Sequence, residues 1–274
     1  MVKIQVVSDL HLESGFEYDA YELDPVAPYL ALVGDIGNTR DPGLFNFLKR
    51  MLKQHELVFF IAGNHEPYHS SWDSTHAKLR EFSDLVNKEP ELGAGRFIYM
   101  NQTRYDLTNE VTILGCVLFS AIDPKYMPYV SLSLNDFYHI QSWTAKDHCS
   151  SHESDLAWLN AQVSRIMVEE PNRKIIILTH YCPTFDATEP KYKTSLITSG
   201  FTTDMTKEEC WKCDNVKVWV FGHTHYNYDV VEEGTGKRIV ANQRGYNFST
   251  ADGFDPTKTI EIARVIGIVS PVYM

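Results

Sequence analysis

Five short segments of the chain concentrate metal-ligating side chains: Ser8-Asp9-Leu10-His11, Gly34-Asp35, Gly63-Asn64-His65-Glu66, Thr179-His180 and Gly222-His223-Thr224-His225. They offer imidazole nitrogens, carboxylates and an amide oxygen, enough for two metal ions, and no thiolate. That donor set suits Mn, Fe or Zn in a reactive site better than a closed structural zinc site. Two ions about 3.5–4 Å apart can clamp a phosphoryl group and bring the pKa of bound water towards neutrality. The chemistry implied is hydrolysis of phosphate esters. Asp35 is the natural bridge, because its two oxygens can serve both ions.

Each segment directly follows an apolar, often β-branched run: Ile4 to Ser8, Tyr29 to Val33, Leu57 to Ala62, Ile175 to Leu178 and Val216 to Phe221. Nearly continuous apolar runs of this length read as strands covered on both faces. In α/β sheets, ligands gather beyond the carboxyl ends of the strands, where all five segments stand. If the first strand continues through its segment, the period of two points Asp9 and His11 the same way, and His223 and His225 share that spacing. Glycine before Asp35, Asn64 and His223 suits sharp turns and close backbone approach.

Helices are expected between the strands. Asp41 is placed to cap a helix with Pro42 at its first position and Leu44, Phe47, Leu48 and Met51 on its inner face. A second helix is predicted over 72–87, with Leu79, Phe82 and Val86 inward. Ser150 and Glu153 have capping-box spacing before a third, which carries Leu156, Leu159, Val163 and Ile166 on one face and stops at Pro171. Between Phe97 and Phe119 the pattern fits a hairpin turning at Asn109-Glu110. Tyr228–Val231 and Arg238–Ala241 read as strands joined through Gly234-Thr235-Gly236. The expected fold is a four-layer α/β/β/α sandwich, two mixed β-sheets flanked by helices. No repeat or linker divides the chain, so residues 1–274 read as one domain. Two stretches lack periodicity, the aromatic-rich 121–149 and the polar 183–203. They read as long loops, either lids over the site or surface insertions.

A net charge of −11 disfavours duplex nucleic acid as a partner, since such binding draws affinity from neutralised phosphates. It is compatible with a small phosphorylated substrate, because two divalent cations reverse the local sign. No apolar run approaches the roughly 20 residues that span a bilayer. The amino terminus reads as a strand beginning at the initiator rather than a secretory leader, so no membrane association and a cytoplasmic location are expected. The five cysteines are odd in number and scattered, which argues against a disulfide framework. The lone Cys210-Trp211-Lys212-Cys213 fits a helix end with two ordinary thiols better than a zinc site. No pattern in the chain specifies an oligomeric state.

The series Asp-x-His, Gly-Asp, Gly-Asn-His-Glu, His, Gly-His-x-His resembles the calcineurin-like metallophosphoesterase superfamily. It runs from Asp9 to His225 in that family's order with no ligand position missing. The resemblance implies that Asp9, His11 and His225 hold one ion, that Asp35 bridges, and that Asn64, His180 and His223 hold the second. It also implies that His65 protonates the leaving oxygen while a metal-bridging hydroxide attacks, a role imidazole suits near pH 7. Serine/threonine phosphatases of the superfamily place a second Asp shortly after the bridging one. Here Asn38 stands in that position, and an amide cannot stabilise a histidinium as a carboxylate does. The arginine expected before the Gly-Asn-His-Glu box is absent as well. Protein phosphatase activity is therefore disfavoured, and His65 is expected to depend on another acid and to have a lower pKa than in those enzymes.

The opening Ser-Asp-Leu-His-Leu resembles phosphodiesterase and nuclease branches. The leading expectation is a small phosphodiester or phosphomonoester as substrate. The alternatives are a nuclease of the same superfamily and a non-catalytic scaffold of the same fold that binds proteins. Arg244 is expected to grip a phosphate or to form a surface salt bridge. Tyr246 is expected to stack on a base, and His139 to face the site from the aromatic stretch. Asn135-Asp136-Phe137 reads as a substrate cap or, through Asn135, as a helix N-cap.

Overall fold

Alternation along the strands builds the layers. In Tyr29–Val33, Ala31 and Val33 enter one apolar cluster while Leu30 and Leu32 enter another. Ile176 and Leu178 part from Ile175 and Ile177 in the same way. One cluster fills the space between two sheets, and the other lies beneath helices. This is what strands buried on both faces require. The computed structural model describes residues 1–89, 91 and 96–263.

The strands are β1 (Val2–Val7), β2 (Tyr29–Val33), β3 (Leu57–Ile61), β4 (Arg96–Tyr99), β5 (Thr103–Asp106), β6 (Val111–Cys116) and β7 (Lys174–Thr179). They continue with β8 (Val216–Phe221), β9 (Tyr228–Val231), β10 (Arg238–Ala241), β11 (Gly245–Tyr246), β12 (Ser249–Thr250) and β13 (Thr259–Ile262). One sheet has the order β13-β1-β2-β3-β4 and the other β5-β6-β7-β8-β10-β9. Each has a parallel centre and an antiparallel pair at one or both edges. Parallel neighbours need crossovers. Helices α1 (Pro42–Gln54) and α2 (Trp72–Lys88) supply those from β2 to β3 and from β3 to β4. The result is the expected α/β sandwich of two mixed sheets flanked by helices.

The 97–119 region divides differently from expectation. β4 joins the first sheet beside β3, and only β5 and β6 form the hairpin, which turns through Thr108-Asn109-Glu110. Asp41 precedes α1 but does not cap it with its side chain; that carboxylate accepts from the Tyr18 hydroxyl at 2.9 Å.

The stretch 121–149 is not a loop. It folds as α3 (Met127–Ser133), α4 (Asp136–His139) and the first turn of α5 (Ala145–Glu169). The capping box that starts α5 is Thr144 with Asp147, six residues upstream of the expected Ser150 with Glu153. The inner face of α5 begins with Ala145, His148, His152 and Asp155 before reaching Leu159, Val163 and Ile166. Polar residue types on the buried stripe hid its first half from hydrophobic periodicity. Ile122, Val130, Leu134 and Ala145 form a small separate core, against which Ile197 and Phe201 of the 183–203 stretch pack. The two aperiodic stretches thus make one cap. Cys210 and Cys213 are buried free thiols on and just after α6 (Glu209–Lys212). Among the described residues no helix is long and apolar enough to cross a membrane.

Candidate metal centre

The parallel strands of both sheets end on one side of the sandwich, and the sheets are tied together there. Ser8, just past β1, bridges to Gln243, just past β10. The Ser8 N–H donates to the Asn242 carbonyl at 2.9 Å, and the Arg244 N–H donates to the Ser8 carbonyl at 3.1 Å. This junction sets the Asp9-His11 turn of one sheet beside the His223-His225 turn of the other.

The side chains converge through turns, not through strand alternation. β1 stops at Val7, and Asp9 and His11 have φ of 54° and 47°. Asp35, His223 and His225 lie in the same left-handed region, at 53°, 74° and 49°. Non-glycine residues there cost of order 1 kcal/mol or more each, and such strain clusters at functional sites. Two strand-end glycines make room for the imidazole of His180. Gly34 has φ of 85°, and a Cβ there would fall on the His180 ring. A Cβ on Gly63 would strike the Asp35 carboxylate and lie 2.7 Å from His180 Cε1.

The seven candidate ligands form two groups. Asp9, His11 and His225 offer ligand atoms within 4.8 Å of one another, as do Asp35, His180 and His223. His11 Nε2 and His225 Nε2 stand 2.9 Å apart. His180 Nε2 is 3.1 Å from Asn64 Oδ1, which brings the amide oxygen into the second group. Asp35 Oδ2 is 3.8 Å from His11 Nε2 and 3.5 Å from His180 Nε2, so one oxygen faces both groups. Its other oxygen accepts the His65 backbone N–H at 2.8 Å. Oδ2 therefore faces both donor groups, while Oδ1 is engaged by the main chain.

Each donor is held from behind. His180 Nδ1 bonds the Val33 carbonyl at 3.0 Å, leaving Nε2 inward. Asp9 accepts the His223 N–H at 3.0 Å, and the buried Gln243 takes the His225 N–H at 2.6 Å. Asn64 gives its Nδ2 to Asp136 at 2.8 Å, which turns its Oδ1 towards the centre. His223 Nε2 is buried with no hydrogen-bond partner. A buried imidazole nitrogen left unpaired is costly, and a cation facing it answers that cost. The residues present fit divalent metal.

Electrostatics reports the same crowding. Burial favours a neutral Asp9, but His225 and His180 outweigh it and hold the carboxyl below the usual range. Asp35 lies well below its ordinary value despite burial, chiefly through His180. Asp35 in turn lifts His180 to about 10 against its own burial, whereas burial and the neighbouring His180 depress His223 strongly.

A model of the calcineurin-like phosphoesterase family matches residues 2–227. The chain belongs to the calcineurin-like phosphoesterase family. It is 28% identical over 284 residues to an uncharacterized protein of Acanthamoeba polyphaga mimivirus, covering 96% of this chain and 98% of that one. The crystal structure of phosphopantetheinyl hydrolase from Mycobacterium tuberculosis has a similar fold, with a TM-score of 0.66 at 16% identity over 90% of each chain.

In this member of the calcineurin-like phosphoesterase family His65 leans on an acid other than position 38. Burial would lower its pKa, yet Asp35 and Glu13 raise it to about 9. The carboxylate absent at position 38 is replaced by Glu13, whose Oε1 lies 2.8 Å from His65 Nδ1. Asn38 instead bonds the Tyr68 carbonyl and the Arg40 N–H.

Sequence reasoning passed over Glu13, although Asp9, His11 and Glu13 extend one alternating series. It also left Glu66 without a role. That buried carboxylate accepts N–H groups from Asp35, Ile36, Gly37 and Gly63, pinning two site turns together.

The three expected substrate contacts fall unequally. The Tyr246 ring stacks on His11 at 4.2 Å, and its hydroxyl is 3.3 Å from His65 Nε2, so it lines the centre. Arg244 is engaged elsewhere: it bonds Glu17 at 2.8 Å and the Leu10 carbonyl at 3.1 Å, with its guanidinium over Tyr21. His139 stands back from the donors, against Tyr68 at 5.2 Å and His69 at 5.1 Å between ring centroids. Asp136 does not face a substrate space; it is buried against Asn64, Tyr68 and Tyr181.

Proposed function

We propose that this chain is a metal-dependent hydrolase of a small phosphodiester or phosphomonoester. The observation that carries the reading is the pair of donor groups meeting at Asp35 Oδ2 beside the unpartnered His223 Nε2. Asp9, His11 and His225 would hold one divalent ion, Asn64, His180 and His223 a second, and Asp35 both. Ions bound there supply charge neutralisation for the phosphoryl group and an activated water.

The chain's own residues do the rest. His65 lies beside the pair with Nδ1 tied to Glu13, which leaves Nε2, next to the Tyr246 hydroxyl, to serve a substrate. In hydrolysis the oxygen of water bonds to phosphorus and the bond from phosphorus to the leaving oxygen breaks. The leaving oxygen takes the Nε2 proton, and the proton released from water passes to solvent, which recharges His65. Tyr246 closes the side next to His11 and limits the solvent that reaches His65. The net charge of −11 supports a small ester over duplex nucleic acid.

The test is hydrolysis of bis-aryl and mono-aryl phosphates by protein reconstituted with Mn, Fe or Zn, with metal content measured in parallel. Asp35→Asn should lose bound metal and at least about a thousandfold in rate, since several kcal/mol of charge stabilisation go with it. A fully loaded protein inert towards both ester classes, or an active Asp35→Asn, would count against the reading.

A further inference from the structure

Glu13 joins two functions on one oxygen. Its Oε1 lies 2.8 Å from His65 Nδ1 and 3.2 Å from His11 Nδ1, while Oε2 is buried without a partner. Both imidazoles therefore turn Nδ1 to Glu13 and Nε2 inward: His11 Nε2 towards His225, and His65 Nε2 towards the Tyr246 hydroxyl. The two rings meet edge to face, 4.4 Å between centroids. Position 38, where a carboxylate would otherwise orient His65, holds an amide turned to the backbone. Glu13 is four residues from Asp9 on the same strained turn, so the segment that positions the first donor group also positions the proton donor.

We propose that Glu13 is a positioning residue that locks His65 with Nε2 towards the leaving oxygen. The inference rests on the phosphoesterase reading above. An acceptor fixed on Nδ1 selects which ring nitrogen is free to act. It matters most when the leaving oxygen is basic and needs a proton as its bond breaks, and least when the leaving group departs readily as an anion.

The experiment compares Glu13→Gln, His65→Ala and the double variant on aryl phosphodiesters graded from p-nitrophenoxide to phenoxide leaving groups. Metal content is measured throughout. Glu13→Gln should lose about 10–100-fold with phenoxide, the range for a partner that orients a functional imidazole. With p-nitrophenoxide it should lose less than about threefold, because that departure asks little of the proton donor, and its metal content should stay unchanged. Within His65→Ala it should add nothing further. A uniform loss across leaving groups, a full loss persisting without His65, or a fall in metal that accounts for the rate would each overturn the assignment. Denaturant unfolding of the same three variants without metal gives a readout independent of turnover. The double variant should share the midpoint of the weaker single one, and additive shifts would sink the Glu13–His65 pairing. If wild type cleaves no ester, the phosphoesterase reading fails while this cycle still decides the pairing. Should Glu13→Gln be recovered unfolded, Glu13→Asp, which withdraws the oxygen by one methylene, carries the same comparisons.

Discussion

The floor of the site and the cap beside it are built on different principles. On the floor, donors leave strand ends through main-chain turns, five of them in left-handed conformations, and buried carboxylates and carbonyls fix them from behind. The cap has no sheet of its own. Its short helices α3 and α4 stand on the residues around 198–201 through a few apolar side chains, and Gly200 lies directly under Val130 and Leu134. Main-chain bonds tie the cap to the floor, from the His69 N–H to the His139 carbonyl and from the Gln141 N–H to the Ser70 carbonyl, both at 2.7 Å. Two of its side chains reach the donors. Asp136 holds the Asn64 amide, and Phe201 stacks on His223 at 5.0 Å. The floor is fixed by buried turns, whereas the cap hangs on a small apolar core and a few bonds that cross to the floor.

The comparison breaks most directly at Leu134. This side chain is buried in the small core of the cap, and Leu134→Ala should cost about 2–5 kcal/mol of local stability. Hydrogen exchange should accelerate across 121–149 and 183–203 and stay unchanged in β1, β2 and β8. The group of Asp9, His11 and His225 should keep its metal, because its supports lie on the floor, while loosening reaches the other group through Asp136 and Phe201. Equal acceleration in both regions would show that floor and cap open as one unit.

The same contrast explains what could be read from the chain. The strands before Asp9, Asp35, Asn64, His180 and His223 were legible because burial on both faces leaves near-continuous apolar runs. The candidate ligands were legible because their types and order are rare together. Their conformations were not: alternation suggested that Asp9 and His11 share a strand face, whereas left-handed turns aim them. The cap escaped detection because its helices are only a turn or two long, too short to show a period. Asp136 read as a possible substrate contact because nothing in sequence reveals that Asn64, Tyr68 and Tyr181 already occupy it. Arg244, equally open to a phosphate or a salt bridge, is paired with Glu17.

Where the cap leaves the floor, Leu118 and Phe119 turn at φ of 74° and 49°. Asp155 of α5 secures that turn by accepting the Leu118 N–H at 2.8 Å and the Gln102 amide at 2.9 Å. Burial pushes its pKa up to about 6, above the unfolded value of about 3.9. The folded protein therefore holds this proton more tightly than the unfolded chain between those values, and stability falls as pH rises through that window. Asp155→Asn keeps both contacts if the two amides orient to suit. The variant should exceed wild type by up to about 3 kcal/mol above pH 7. The difference should fade as pH drops below about 4, where the wild-type carboxyl is neutral in both states. Unfolding midpoints of the pair across that range provide the check, and a difference independent of pH would remove Asp155 ionisation as its cause.

The smallest effect tests the boundary between cap and scaffold at the start of α5. The Thr144 hydroxyl accepts the Asp147 N–H while the Asp147 carboxylate accepts the Thr144 N–H at 3.0 Å, so the helix begins inside the stretch that sequence assigns to a loop. Ser150, the expected cap, lies more than a turn inside the helix and is exposed. Losing a true N-cap costs about 1 kcal/mol, while serine to alanine within an exposed helix is neutral or slightly favourable. Thr144→Ala should therefore lower the unfolding midpoint and Ser150→Ala should leave it level or raise it. The reverse ranking would move the helix start to Ser150 and return 144–149 to the cap. The cap would then lose its helical continuity with the helix that carries Asp155, and with it the stiffest link between cap and floor.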